Sequence, residues 1–243
     1  MSKTVLVTGG SGTIGRKICT EYSSKGYNVI FTYNSSFTEA QTTFNLLDSS
    51  KSNLMIQANL INQKSIKNLF NLIKKSYSKI DVLINNAAYT KTYSPTELLN
   101  ISEEEVDNII GSITKNVFFC SIEFIKQVKT YGSIVNIGSN STSTLNASNL
   151  LYIACKASVE NLTKTLAAHY GPKVKCNCVL PGLTLSNITK SSPSRFTSIL
   201  NKTPLNKLCT PQDIAQCVYF LTTESNFING ECVKVDGGRT LYS

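Results

Sequence analysis

Tyr152 and Lys156 stand four residues apart in the stretch "LYIACK", and Ser139 precedes the tyrosine by thirteen residues. On a helix, residues four apart share a face, so this phenol and this ammonium would point the same way. A free phenol titrates near about 10 and keeps its proton at neutral pH, which suits a general acid that protonates a developing alkoxide. The ammonium beside it would stabilise the phenolate left behind. The chemistry that fits is carbonyl reduction, a hydride to carbon and a proton to oxygen. Taken alone, the pair fits equally well an amphipathic helix with its tyrosine packed and its lysine in water. The other elements decide between the two.

Those elements alternate from end to end. Strand-like runs are "TVLVTG", "NVIFTY", "LMIQANL", "KIDVLINNAA", "GSIVNIGS", "VKCNCVLPG" and "GECVKVDGG". Between them lie amphipathic stretches at about 13–25, 38–49, 63–77, 103–130, 151–170 and 211–223. Apolar runs with little alternation belong to strands covered on both faces, hence to a parallel sheet between helix layers. The expectation is an α/β, doubly wound, Rossmann-type sheet of about seven strands. Nothing marks a linker or a repeat, so residues 1–243 read as one domain. The irregular stretch "TKSSPSRFTSILNKTPLNK", residues 189–207, reads as a small substrate flap.

The first strand runs into "VLVTGGSGTIG" and then into a helix pattern. Glycines at 9, 12 and 15 let the backbone turn sharply and bring amides close to a pyrophosphate at a helix N-terminus. In the first βαβ unit, that placement favours dinucleotide binding over a purely structural turn.

With this turn, "NNAA" at 85–88, and Ser139, Tyr152 and Lys156 in order, the chain resembles the short-chain dehydrogenase/reductase family. The likeness runs along essentially the whole chain. It implies that Ser139 orients the carbonyl oxygen, Tyr152 transfers the proton, and Lys156 also holds the nicotinamide ribose. It implies cofactor contacts from Thr8, Gly9, Ser11, Gly12, Thr13, Ile14 and Gly15 in the turn. Further contacts would come from Tyr33, Asn34 and Ser35, from Asn59 and Leu60, and from Asn86, Ala87 and Ala88. The segment "PGLTLSN" resembles the family's carboxamide-binding stretch, which would involve Pro181, Gly182, Leu183, Thr184 and Ser186. At the end of the second strand no acidic residue is present to meet a ribose 2′-hydroxyl, which favours NADP(H) over NAD(H). Relatives commonly assemble as tetramers or dimers.

Three positions depart from the family pattern. Thr13 occupies the usual middle glycine, Asn59 replaces the usual aspartate, and Ile113 stands where many members carry an asparagine that supports a proton relay. Asn116, one turn on, is a partial substitute on a neighbouring face. These departures leave open a protein that binds NADP(H) without turnover, although the intact Ser139, Tyr152 and Lys156 argue against it.

The stretch "PLNKLCTPQDIA" and the "VDGG" near the end look most like 3-oxoacyl-(acyl-carrier-protein) reductases. That implies an acyl thioester substrate, with Leu150, Leu151 and Leu183 as an apolar wall. Lys126, Lys129, Lys173 and Lys175 lie near where that branch docks its acidic carrier, which would give the net charge of +9 a use. A reductase of a free ketone, sugar or polyol would share every motif.

Composition excludes other classes. The lysines are spread along the chain without an aromatic-basic cluster, which argues against a nucleic-acid binder. No apolar run reaches membrane-spanning length. The first residues have no signal-peptide pattern, so a cytoplasmic protein is expected. The eight cysteines lack CxxC spacing and there is one histidine, so no metal site is expected and the thiols read as reduced, mostly buried small apolar groups.

Overall fold

The run "TVLV" offers apolar side chains to both sides, and all four of its residues are buried. It is the first strand of a computed structural model that describes residues 2–145, 147, 149–185 and 199–242. The strands are β1 (Thr4–Val7), β2 (Asn28–Tyr33), β3 (Leu54–Gln57), β4 (Val82–Asn85), β5 (Gly132–Ile137), β6 (Val174–Pro181) and β7 (Cys232–Val235). They form one parallel sheet in the order β3-β2-β1-β4-β5-β6-β7. The order reverses between β1 and β4, and a doubly wound sheet opens a crevice at such a switch point, beyond the carboxyl ends of the strands.

The helices are α1 (Thr13–Ser24), α2 (Phe37–Asn45), α3 (Gln63–Ser76), α4 (Pro95–Leu98), α5 (Glu103–Ile110), α6 (Asn116–Gln127), α7 (Ser141–Thr144), α8 (Leu150–Tyr170) and α9 (Pro211–Tyr219). Alternation along each strand divides the core into two layers. Val5, Val7, Phe31, Ile84, Val135 and Val179 face α1 and α9, meeting Ile18, Tyr22, Ile214 and Val218. Leu6, Ile30, Leu83, Ile134 and Cys176 face α3, α6 and α8, meeting Leu69, Phe70, Phe124 and Leu166. A smaller cluster of Ile109, Ile113, Val117, Cys155 and Val159 locks α5 and α6 against α8 beside the crevice.

Polar side chains tie the sheet centre together. Asn85 of β4 donates from Nδ2 to Oδ1 of its register partner Asn136 at 2.8 Å and to Oγ of Ser121 at 3.1 Å. Asn136 then donates to Oγ1 of Thr163 at 2.9 Å. All four residues are buried, so every link replaces a hydrogen bond to water that the fold removes.

The stretch at 103–130 is not one helix. Between α5 and α6 the five residues Gly111–Lys115 form a π-helical turn, a widening often found beside functional sites. The second amphipathic stretch is also shorter than expected, ending at Asn45. Of the expected flap, residues 189–198 lie outside the described residues. Residues 199–207 are described; Thr203 donates its amide to Leu200 and its hydroxyl to Ile199, and Leu205 donates its amide to Gly237. No described helix is long and apolar enough to cross a membrane.

Candidate active site

The turn after β1 is shaped by close approach. Gly9 has φ +68°, and a side chain on it would lie 2.9 Å from the Ala87 backbone. A Cβ on Gly15 would fall 2.2 Å from the Gly9 carbonyl oxygen, so α1 can begin this close to the turn only with glycine there. Thr8 lies beneath the turn. Its Oγ1 accepts the amides of Asn86 and Ala87 at 2.9 and 3.0 Å. Asn86 returns the tie, donating from Nδ2 to the carbonyls of Thr8 and Gly9 at 2.9 and 3.0 Å. The end of β4 thereby holds the glycine turn open.

Helix α1 begins at this turn with no side-chain cap at Gly12 and no carboxylate in its first turn. Its N-terminal amides and the positive end of its dipole are left to an anion. A cavity of about 760 Å³ spreads over them, lined by Gly9, Ser11, Gly12, Thr13, Ile14 and Gly15 of the turn. Tyr33, Asn34, Ser35 and Ser36 line its far end, and Asn59, Leu60, Asn86, Ala87 and Ala88 its floor. Its size and Gly-shaped cradle fit a dinucleotide. No acidic side chain is among its described lining residues. Thr8, expected at the ligand, does not line the cavity; its hydroxyl is spent on the backbone. Asn59 keeps an oxygen there, but that oxygen already accepts the Ile61 amide at 3.0 Å.

A second cavity of about 460 Å³ adjoins the first and shares Ile14, Asn86, Ala88, Thr90, Tyr152 and Thr184 with it. Ser139, Tyr152 and Lys156 all line it, with Pro181, Gly182, Leu183 and Thr184. Ser186 lies outside the described residues. The three candidate catalytic side chains therefore meet in one chamber, brought there by the end of β5 and the first two turns of α8.

Helix α8 is placed by its cap. Asn149 accepts the Tyr152 amide on Oδ1 at 2.7 Å, and donates from Nδ2 to the Lys91 carbonyl at 2.6 Å and to Thr90 Oγ1 at 3.1 Å. The turn carrying Tyr152 is thus fastened to the loop after β4. A cap of this kind is worth about 1 kcal/mol. Lys156 is buried, and its Nζ donates to the Ile137 carbonyl at 2.7 Å while lying 5.7 Å from the Tyr152 ring centre. Among the described residues only that one of its three donors is used, and no carboxylate pairs with it. A buried ammonium is costly unless further hydrogen bonds complete it, and Lys156 lines the chamber with donors that no described residue takes up. Ser139 Oγ accepts the Ser141 amide at 3.2 Å, which leaves its proton free to donate.

Ile113 is buried in the cluster beside α8. Asn116 lines the larger cavity, but its Nδ2 is held by the carbonyls of Ala87 and Ser112, each at 3.1 Å. The expected apolar wall is mostly elsewhere. Leu183 lines the smaller chamber, whereas Leu150 is exposed and Leu151 packs on the α5–α8 cluster. The lysine reading also needs correction. Lys175 is buried and donates to the Ser225 carbonyl, and burial pulls its pKa down. Facing inward from β6, it cannot meet a carrier. Lys129 and Lys173 are exposed but precede β5 and β6, at the N-terminal end of the strands, opposite the end that carries the chamber. The sequence reading missed Arg239, which lines the smaller chamber.

A family model described as enoyl-(acyl carrier protein) reductase matches residues 10–240. A 3-oxoacyl-(acyl-carrier-protein) reductase of Staphylococcus epidermidis is 32% identical over 98% of this chain and 99% of its own. A 7alpha-hydroxysteroid dehydrogenase of Bacteroides fragilis is 30% identical over 100% of this chain and 96% of its own. Among solved structures, a short chain dehydrogenase from Burkholderia cenocepacia in complex with NADP superposes with a TM-score of 0.90, at 25% identity over 98% and 97% of the two chains.

Proposed function

Because the chain belongs to the short-chain dehydrogenase/reductase family, whose members are oxidoreductases using nicotinamide cofactors, we propose that it is an NADP(H)-dependent ketoreductase, with a 3-oxoacyl thioester as its substrate. The observation that carries the proposal is the convergence of Ser139, Tyr152 and Lys156 on a chamber continuous with the Gly-shaped cavity. The nicotinamide, when bound, supplies the hydride. Ser139 donates to the substrate carbonyl and orients it. Tyr152 gives its phenolic proton to the oxygen as negative charge develops there. Lys156, fixed by the Ile137 carbonyl, uses its remaining donors on the ribose hydroxyls and stabilises the phenolate.

NADP(H) is preferred on the chemistry at the end of β2. Tyr33, Asn34, Ser35 and Ser36 bring neutral donors and no carboxylate that would repel a 2′-phosphate. The Staphylococcus relative supports the thioester assignment. A second reading, reduction of a free ketone, is favoured by the hydroxysteroid dehydrogenase relative and by the absence of Leu150 and Leu151 from the chamber wall. An acidic carrier partner, a homotetramer or homodimer, and a single domain remain parts of the same proposal. The test is oxidation of NADPH and of NADH with a 3-oxoacyl thioester and with a free ketone, for the wild type and Tyr152→Phe. Turnover that prefers NADPH and the thioester, and collapses in the variant, supports the proposal; a preference for NADH or for the free ketone overturns the corresponding part.

A further inference from the structure

Two cations are among the smaller chamber's described lining residues, Lys156 and Arg239. Lys156 has its role in the proposed reaction; Arg239, from the 3₁₀ turn that follows β7, has none. No carboxylate is among the chamber's described lining residues, and none among the described residues forms an ion pair with Arg239. The nearest acidic side chain along the chain, Asp236, is buried and already engaged. It accepts the amide of Gly238 at 3.0 Å, the amide of Thr240 at 3.1 Å and Nδ2 of Asn140 at 3.5 Å.

Those same bonds place the arginine. Gly237 and Gly238, at φ +64° and +83°, turn the backbone over Thr203 and Pro204. Asp236 then clamps the turn to Asn140, the neighbour of Ser139. Arg239 is half-buried on a braced turn and faces the chamber. A guanidinium carried on that turn is a planar, five-donor group with no ion-pair partner among the described residues, matched to a carboxylate or phosphate.

Resting on the carbonyl-reduction reading, we infer that Arg239 selects substrates that carry an anionic group, a carboxylate or a phosphate, within reach of the ketone. Were the chamber roughly spherical, its volume would make it about 10 Å across, so that group lies within a few bonds of the reacting carbonyl.

Two matched pairs separate the sources of the charge: acetoacetate against ethyl acetoacetate, and dihydroxyacetone phosphate against dihydroxyacetone. The readout is the ratio of kcat/KM for the anionic member over the neutral one, in the wild type, Arg239→Gln and Arg239→Lys. The expected result is a ratio on the order of ten or more for one pair, falling towards one in Arg239→Gln and partly kept in Arg239→Lys. The first pair responding identifies a carboxylate, the second a phosphate. A ratio that survives Arg239→Gln, or that is near one for both pairs in the wild type, overturns the inference. A raised KM for NADPH with the ratio intact also overturns it, by placing Arg239 on the cofactor. If no ketone is reduced, the function reading fails instead. Calorimetric titration of the same four compounds into the NADPH-loaded protein still reads the ratio.

Discussion

Lys156 hangs from the carbonyl oxygen of Ile137, the last residue of β5, two positions before Ser139. One hydrogen bond therefore ties the strand that carries the serine directly to the helix that carries the tyrosine. Removing the phenol tests the chemistry without disturbing this link. Tyr152→Phe is expected to lower kcat by about 10²- to 10⁴-fold, the usual worth of a positioned proton donor, with NADPH affinity unchanged. Single-turnover kinetics and calorimetric titration check the two halves. Equal loss of binding and turnover would make Tyr152 a packing residue.

The glycines of the turn are not equivalent. A Cβ at position 15 collides with the Gly9 carbonyl and with Asn86, whereas at position 12 the nearest atom is an ordinary 3.5 Å away. Gly15→Ala is expected to cost about 1–3 kcal/mol in urea unfolding and to weaken dinucleotide binding at least about tenfold. Gly12→Ala should stay within about 0.5 kcal/mol of the wild type.

Position 12 can also carry more than a methyl. It borders the cavity whose far end holds Tyr33, Asn34 and Ser35, and its backbone at φ −76° and ψ 165° suits any residue. Gly12→Arg is expected to raise the NADPH over NADH preference by about tenfold, the worth of one charge-assisted hydrogen bond to a phosphate. Steady-state KM ratios decide it. No change would remove the 2′-phosphate from this end of the cavity.

The asparagine chain across the sheet is a stability element. Asn136→Leu leaves the Asn85 amide with Ser121 alone and removes the donor to Thr163. A loss of about 2–4 kcal/mol is expected, larger than a single exposed hydrogen bond would give, because buried polar groups on both sides each lose a partner. Denaturant midpoints measure it. A loss under about 1 kcal/mol would mean that the chain is incidental.

Alkaline stability follows from the thiols. Burial pushes Cys19, Cys120 and Cys176 well above the ordinary thiol range. Their folded pKa values are raised, so the unfolded chain loses these protons first. Stability is complete below the unfolded value near 9 and falls as pH rises towards the folded values. Each thiol contributes a slope of up to about 1.4 kcal/mol per pH unit there. Urea midpoints at pH 7 and pH 10 should drop steeply, and replacing all three with alanine should flatten that drop even where it lowers the midpoint at pH 7.

The strands were legible because each is a short, mostly apolar run, and the three candidate residues because a strand end and a helix start carry them. The break at Gly111–Lys115 was not, since apolar spacing continues through a π turn almost unchanged. Helix α4 did have a local signal. Ser94, Pro95 and Glu97 form a capping box with proline at the first position, and its brevity hid it. Lys175 was misjudged by residue type, although its strand neighbours Val174, Cys176 and Cys178 already indicated a buried run. Arg239 was out of reach because nothing local connects the end of the chain to Ser139. The turn on Asp236 and Asn140 does so through space.

The two cavities have a wall in common, built from Ile14, Asn86, Ala88, Thr90, Tyr152 and Thr184. Until the larger one is filled, the smaller one has an open back. A ketone arriving first would lie against solvent where its neighbour should be, and one arriving second would be enclosed. On the proposed function, the expected sequence in time is therefore nucleotide on first, alcohol away before the spent nucleotide, and an enclosed ternary state between them.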